Sequence, residues 1–358
     1  MHPSRPHKID IALLYADYAP FAYQPLAEQL QLIFGEHLEV GLGAHEDGAF
    51  GIIKVGAIYA MISQNQEPLA PDGFATAVQS PFTLAKHPDA PDLVNGHRKT
   101  IFVTVGGRDI VVPDLAEDAI PESLRDAWTA AKPQPKAPSV ETYGSYAFVA
   151  RLIVSQLCMA QRPDLVHWCP SDQLFKPEEL VPTDDPKGMR VQIHPNLFSS
   201  GAVEQGSQKV GFHAHGAEHV MGRHVIVEET PFPLSRVVTV VHDFIYSLQQ
   251  SGAVPKHGTV LRTKDGAALR VRHAEADENF PRQYLAVELL DVGGSASAKP
   301  WAWGAGKTRD DMTGRPVEAG AVQRWLQKYS AVAMGVTLLL ALWFVVGSGD
   351  AATFLASR

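Results

Sequence analysis

The stretch TIFVTV, Thr100–Val105, decides how the fold is read. Ile101, Val103 and Val105 alternate with Thr100, Phe102 and Thr104, the period of two that a β-strand imposes on its side chains. Such a strand needs hydrogen-bonded neighbours, and the flanking sequence supplies them. Ile9–Tyr15 reads as a first strand, and Gly51–Ser63 carries one or two more. Between them, Pro25–Phe34 places Leu26, Leu30 and Ile33 on one helical face, with Gly35 as the left-handed stop. Downstream, Ser139 opens a long helix over Val140–Arg162 that Pro163 ends, and Leu165–Trp168 follows as a short strand.

A second group of elements follows. Arg190–His194, Val210–His215 and His224–Glu229 read as strands. Leu234–Gln250 is an amphipathic helix with Leu234, Val238, Val241, Ile245 and Leu248 facing inward and Gly252 at its end. Thr259–Thr263 and Tyr284–Leu290 are further strands. The expected class is α+β, with two packed α/β-sandwich units, a ferredoxin-like arrangement being the candidate for the first. The units take residues 1–180, with a Pro- and charge-rich insertion near 109–138, and residues 181–290. A flexible linker at 291–320, rich in Gly, Ala, Ser and Pro, and a juxtamembrane segment at 321–328 lead to a terminal apolar run.

That run has no charge from Tyr329 to Ser348 and Gly349, between Lys328 and Asp350. As a helix, residues 329–349 would span about 31 Å, the thickness of a bilayer core. Trp325, Tyr329 and Trp343 sit where interfacial aromatics are found. The expectation is one C-terminal transmembrane helix with a short tail at 350–358. Arg309, Arg315, Arg324 and Lys328 precede it and only Arg358 follows, which orients the large N-terminal body toward the cytoplasm, at the inner membrane. The N-terminus has only a short apolar run, Ile11–Ala16, closed by Asp10 and Asp17, which argues against a signal peptide.

Composition narrows the chemistry. The 358-residue chain has a formal net charge of −8 and no dense basic run, which argues against nucleic acid as a partner. Its two cysteines, Cys158 and Cys169, form no CxxC motif and read as reduced thiols. GxSxG, GxGxxG and EF-hand patterns are missing from the sequence. WGAGKT, Trp303–Thr308, lacks the first glycine of a phosphate loop, since Trp301 holds that position.

The most chemical segment is GFHAHGAEHVMGRH, Gly211–His224. His213 and His215 share one face of a strand, and Glu218, His219 and His224 follow. Imidazoles with a carboxylate suit zinc or a similar divalent ion, and His213, His215, Glu218 and His219 are the candidate ligands. The spacing matches no established ligand pattern such as HExxH, so turn histidines bonded locally or facing solvent are the competing reading. Cys169, at the end of its strand, is a candidate nucleophile with His167 or His194 as base.

Four segments taken together resemble the bacterial domain-of-unknown-function family 4261. They are HRKTIFVTVGG (His97–Gly107), LVHWCPSDQLFKPEEL (Leu165–Leu180), HGAEHVMGRHVIVEE (His215–Glu229) and SLQQSGAVPKHGTVLRT (Ser247–Thr263). The resemblance covers about residues 8–290 and implies a compact α+β fold with no assigned activity. Three functions are therefore expected in competition. The first is a non-enzymatic protein-interaction module held at the inner membrane through residues 329–349. The second is a metal-dependent, hydrolase-like enzyme using the histidine cluster at 213–224. The third is a small-ligand site between the two halves.

Overall fold

The computed structural model describes residues 8–17, 23–45, 48–107, 138–180, 189–204, 206–262, 266–276 and 283–291. The linker from residue 292, the juxtamembrane segment, the expected membrane helix at 329–349 and nearly all of the insertion lie outside these residues. Among the described residues, no helix is long and apolar enough to cross a membrane. The fold is α+β.

The first sheet is built around β1 (Lys8–Tyr15), which is followed by α1 (Tyr23–Phe34), β2 (Leu38–His45), β3 (Gly48–Val55) and β4 (Ile58–Asn65). Three short helices, α2 (Ala75–Gln79), α3 (Pro81–Lys86) and α4 (Ala90–Gly96), lead to β5 (Lys99–Gly106). The long α5 (Val140–Gln161) follows, and β6 (Leu165–Trp168) and β7 (Gln173–Phe175) complete the sheet. The seven strands run in the order β2-β3-β4-β5-β1-β6-β7, every pair antiparallel.

Both faces of β1 are covered. Ile9, Ile11 and Leu13 join the main core with Ile101, Val103 and Val105 of β5. Ala12 and Leu14 join a smaller cluster with Phe74, Ala77, Ala90 and Val94 from the α2–α4 region, against which Phe102 packs. A strand covered on both sides reads as a near-continuous apolar run, which is why IALLY shows so little alternation. Strand β2 has no counterpart among the expected elements. In LEVGLGAH, Gly41 and Gly43 take two of the alternating positions and dilute the pattern.

Helix α5 starts where Ser139 accepts a hydrogen bond from the Thr142 N–H at 3.1 Å. Its buried residues occupy most of its circumference, because it lies between the first sheet, α1 and three later helices, Pro177–Leu180, Ala217–Met221 and Leu234–Ser251. The chain continues through α6 (Pro177–Leu180), α7 (Met189–Gln192), β8 (His194–Phe198), the small hairpin β9 (Val203–Glu204) and β10 (Ser207–Gln208), and β11 (Val210–His215). Then come α8 (Ala217–Met221), β12 (His224–Thr230), α9 (Leu234–Ser251), β13 (Val260–Arg262), β14 (Ala268–Ala274) and β15 (Tyr284–Asp291). Six strands form the second sheet in the order β13-β14-β15-β12-β11-β8, with only the β12–β15 pair parallel.

Helix α9 buries Val237, Val240, Val241, Phe244, Ile245 and Leu248 against this sheet and against α5. The core is therefore continuous between the two sheets. Gly144 permits this approach, since a Cβ there would lie 2.9 Å from Gln249 Nε2 of α9. The strand expected at Arg190–His194 is instead a helical turn, Met189–Gln192, followed by β8. His194 precedes Pro195, which disfavours helix at that residue and fits an edge strand, the position β8 occupies.

Candidate metal centre

In β11 the core-facing residues are Phe212 and Ala214, so His213 and His215 project from the opposite face. The antiparallel register pairs His213 with Ile226, two residues from His224, so His224 lies diagonally across on the same face. Helix α8 sits between the two strands and brings Glu218 back over them. Glycines cap it on both sides, Gly216 at φ +96° and Gly222 at φ +73°. The expected strand–turn–strand thus contains one short helical turn.

Gly216 is demanded by its surroundings as well as by its φ. A Cβ there would lie 2.0 Å from the Gln192 carbonyl oxygen and 3.2 Å from Ser171 Cβ. Its N–H donates to Glu218 Oε2 at 3.0 Å. The turn that makes room for the neighbouring backbone therefore also aims the carboxylate.

Three ligand atoms converge. His213 Nε2 lies 3.2 Å from His224 Nδ1, and Glu218 Oε2 lies 3.9 Å from His213 Nε2 and 3.7 Å from His224 Nδ1. A tetrahedral zinc with bonds of ~2.0–2.1 Å holds its ligands on edges of about 3.4 Å, so this triangle is near the right size for three corners of such a site. His215 Nδ1 lies 3.1 Å from the other carboxylate oxygen, Oε1. His213, His215 and Glu218 also bring one ligand atom each to within 4.8 Å of one another. His219 is not in that group. The four residues expected from sequence thus divide into three that meet and one that stays out, while His224 takes a place the sequence reading did not give it. Strand pairing, rather than spacing along the chain, brings His224 in.

The electrostatics suit a cation. Burial pushes His213 down to about 4, outweighing the attraction of Glu218, so its imidazole is neutral and able to coordinate near pH 7. Burial also lowers His219. Burial opposes charge on His215 too, but the hydrogen bond and charge of Glu218 outweigh it and raise its pKa. Burial likewise opposes ionisation of Glu218, yet the hydrogen bond to His215 and the nearby His215 and His219 hold it at about 2. Side-chain exposures of 13% for Glu218, 17% for His213 and 24% for His224 leave the triangle partly open to solvent. An open position is what distinguishes catalytic from structural zinc sites.

The site lies close to the end of β6. The turn after it, Cys169–Ser171, abuts Gly216 through Ser171 and reaches α7 through the Ser171 Oγ bond to the Val191 carbonyl at 2.6 Å. His194, opposite His215 in the β8–β11 ladder, has its Nε2 2.9 Å from Ser80 Oγ, between α2 and α3. Cys169 Sγ lies 3.6 Å from His167 Nδ1, so of the two bases expected for it the structure selects His167. A cleft of about 760 Å³ opens nearby, lined by Phe82, His87, Arg151, Glu179, His194 and His242 among others. His194 lines it, but His213, Glu218 and His224 do not. The ligand triangle therefore stands beside the cleft and not at its floor.

No family model matches this chain, and no curated protein or solved structure matches it.

Proposed function

We propose that this chain is a metal-dependent, hydrolase-like enzyme with a single divalent ion, zinc fitting best, held by His213, Glu218 and His224. The observation that carries this reading is the triangle of ligand atoms with edges of 3.2, 3.7 and 3.9 Å. His215 orients the carboxylate by holding its second oxygen, the kind of outer support that metal-binding groups require. When bound, zinc lowers the pKa of a coordinated water to near 7 and so supplies hydroxide at neutral pH. His213 stays neutral for coordination, Gly216 and His215 fix Glu218, and the adjoining cleft offers room for a substrate. The proposal includes attachment to the cytoplasmic side of an inner membrane through residues 329–349. It also includes kinship with family 4261 and a ferredoxin-like reading of the β4-β5-β1-β6 order around α1 and α5.

The test is elemental analysis of the full chain purified in mild detergent, beside His213→Ala and Glu218→Gln. About one zinc per chain, lost in both variants, is the expected result. Metal-free wild type after growth and dialysis with zinc, or metal retained by both variants, would overturn the reading. The uncharged run at 329–349 favours a second reading, a tethered interaction module whose confinement raises the effective concentration of membrane partners. Crosslinking in intact membranes tests it: a partner captured equally without residues 321–358 would leave the tether without a role.

A further inference from the structure

The turn that closes β6 carries a second constellation, built from His167, Cys169 and Asp172. His167 Nε2 lies 2.7 Å from Asp172 Oδ1. An ionised carboxylate can only accept, so this bond keeps a proton on Nε2 and leaves Nδ1 as the nitrogen that takes up or releases one. Nδ1 is the atom that faces Cys169 Sγ, at 3.6 Å. A nucleophile, a base within reach and a third group orienting the base are therefore assembled from six consecutive residues.

The surroundings hold this arrangement. Trp168 and Ser171 on either side are fully buried, and the Asp172 N–H bonds the Cys169 carbonyl at 3.1 Å. Asp172 takes the left-handed conformation, φ +47°, which aspartate tolerates better than most residues. The His167 ring packs edge-on against Phe74 with centroids 5.0 Å apart, so it cannot swing away easily. Burial works against its charge, but the bonds to Asp172 and Cys169 raise it to about 9. Cys169 itself is half-buried, whereas Cys158 lies in the core and burial pushes its thiol up to about 12.

We propose that Cys169 is a reactive thiol that exchanges with small-molecule disulfides, with His167 as its proton partner and Asp172 as the positioning residue. The proton moves from Sγ to His167 Nδ1. The thiolate then attacks one sulfur of the disulfide, a bond forms between Cys169 and that sulfur, and the original S–S bond breaks. The departing thiolate takes the proton from His167, which returns to neutral. The disulfide is the only oxidant the exchange needs. Disulfide exchange needs no oxyanion donor, because the charge that leaves is carried by sulfur and is quenched by the His167 proton.

The experiment uses the full chain in mild detergent with chelator present, so that metal at the histidine triangle plays no part. The reaction with dipyridyl disulfide is followed from pH 6.5 to 9, and the adduct is located by peptide mass spectrometry. An ordinary thiol with a pKa of ~8.5 speeds up roughly 80-fold over that range. The expected result is an adduct on Cys169 whose rate changes less than about threefold. His167→Asn is expected to restore the steep rise, and Asp172→Asn to slow the reaction at pH 6.5 about tenfold. A steep rise in the wild type overturns the proposal whether or not the variants fold. So does an adduct confined to Cys158, no adduct at all, or a flat profile that His167→Asn leaves unchanged.

Discussion

Gly216→Ala should be the most damaging single-methyl change near the proposed metal centre. Two costs add. A residue with a Cβ at φ +96° pays about 1–2 kcal/mol in backbone conformation. The new methyl would also sit 2.0 Å from the Gln192 carbonyl oxygen, a backbone atom that cannot rotate away. Forcing that contact open costs another ~1–3 kcal/mol, the range for overpacking. The total is about 2–5 kcal/mol, or roughly 4–20 °C in melting temperature for a body of this size. Gly258→Ala is the control. It has φ +79° but nothing within 4 Å of its Cβ, so only the conformational cost applies. Thermal unfolding by circular dichroism on the full chain in detergent measures both variants. Gly216→Ala should also weaken zinc binding, because its N–H aims Glu218 Oε2. Equal melting shifts in the two variants would refute the argument that α8 is seated against Gln192.

Acid should destabilise the metal-free protein in a defined window. Burial holds His194 at about 4, below its unfolded value of ~6.5, so its contribution is intact above pH ~6.5 and lost as pH falls toward 4, by at most about 3 kcal/mol. Urea unfolding at pH 7, 6, 5 and 4 should show this loss, and His194→Gln should make it shallower. Ser139→Ala removes the side-chain cap of α5 and should cost about 1 kcal/mol by the same assay. Gly144→Ala presses only on the flexible end of Gln249, so its cost should stay below about 1 kcal/mol. A larger loss would mean that α5 and α9 leave Gln249 no alternative rotamer. Arg272→Ala breaks an ion pair with Glu228 on a face where Arg272 is 42% exposed, and should change stability by no more than about 1 kcal/mol.

Local chemistry was legible along the chain. TIFVTV lies in β5, LVHW is β6, Ser139 does cap the long helix, and Val241, Ile245 and Leu248 of the expected stripe over Leu234–Gln250 do face the core, with Leu234 and Val238 at its margin. Each of these depends on side-chain period or on hydrogen bonds between near neighbours, and both are written in consecutive residues. Strand β2 and the edge strand β8 were hidden, because glycines thinned the alternation of one and the helical turn α7 precedes the other. The site shows the same division. The crowding of imidazoles and a carboxylate between His213 and His224 is written in the order of residues. That His224 meets His213, and that Asp172 orients His167 toward Cys169, follows from the fold. Those contacts belong to strand register, to a left-handed glycine and to packing between the two sheets, which bring together atoms that chain spacing leaves unassigned.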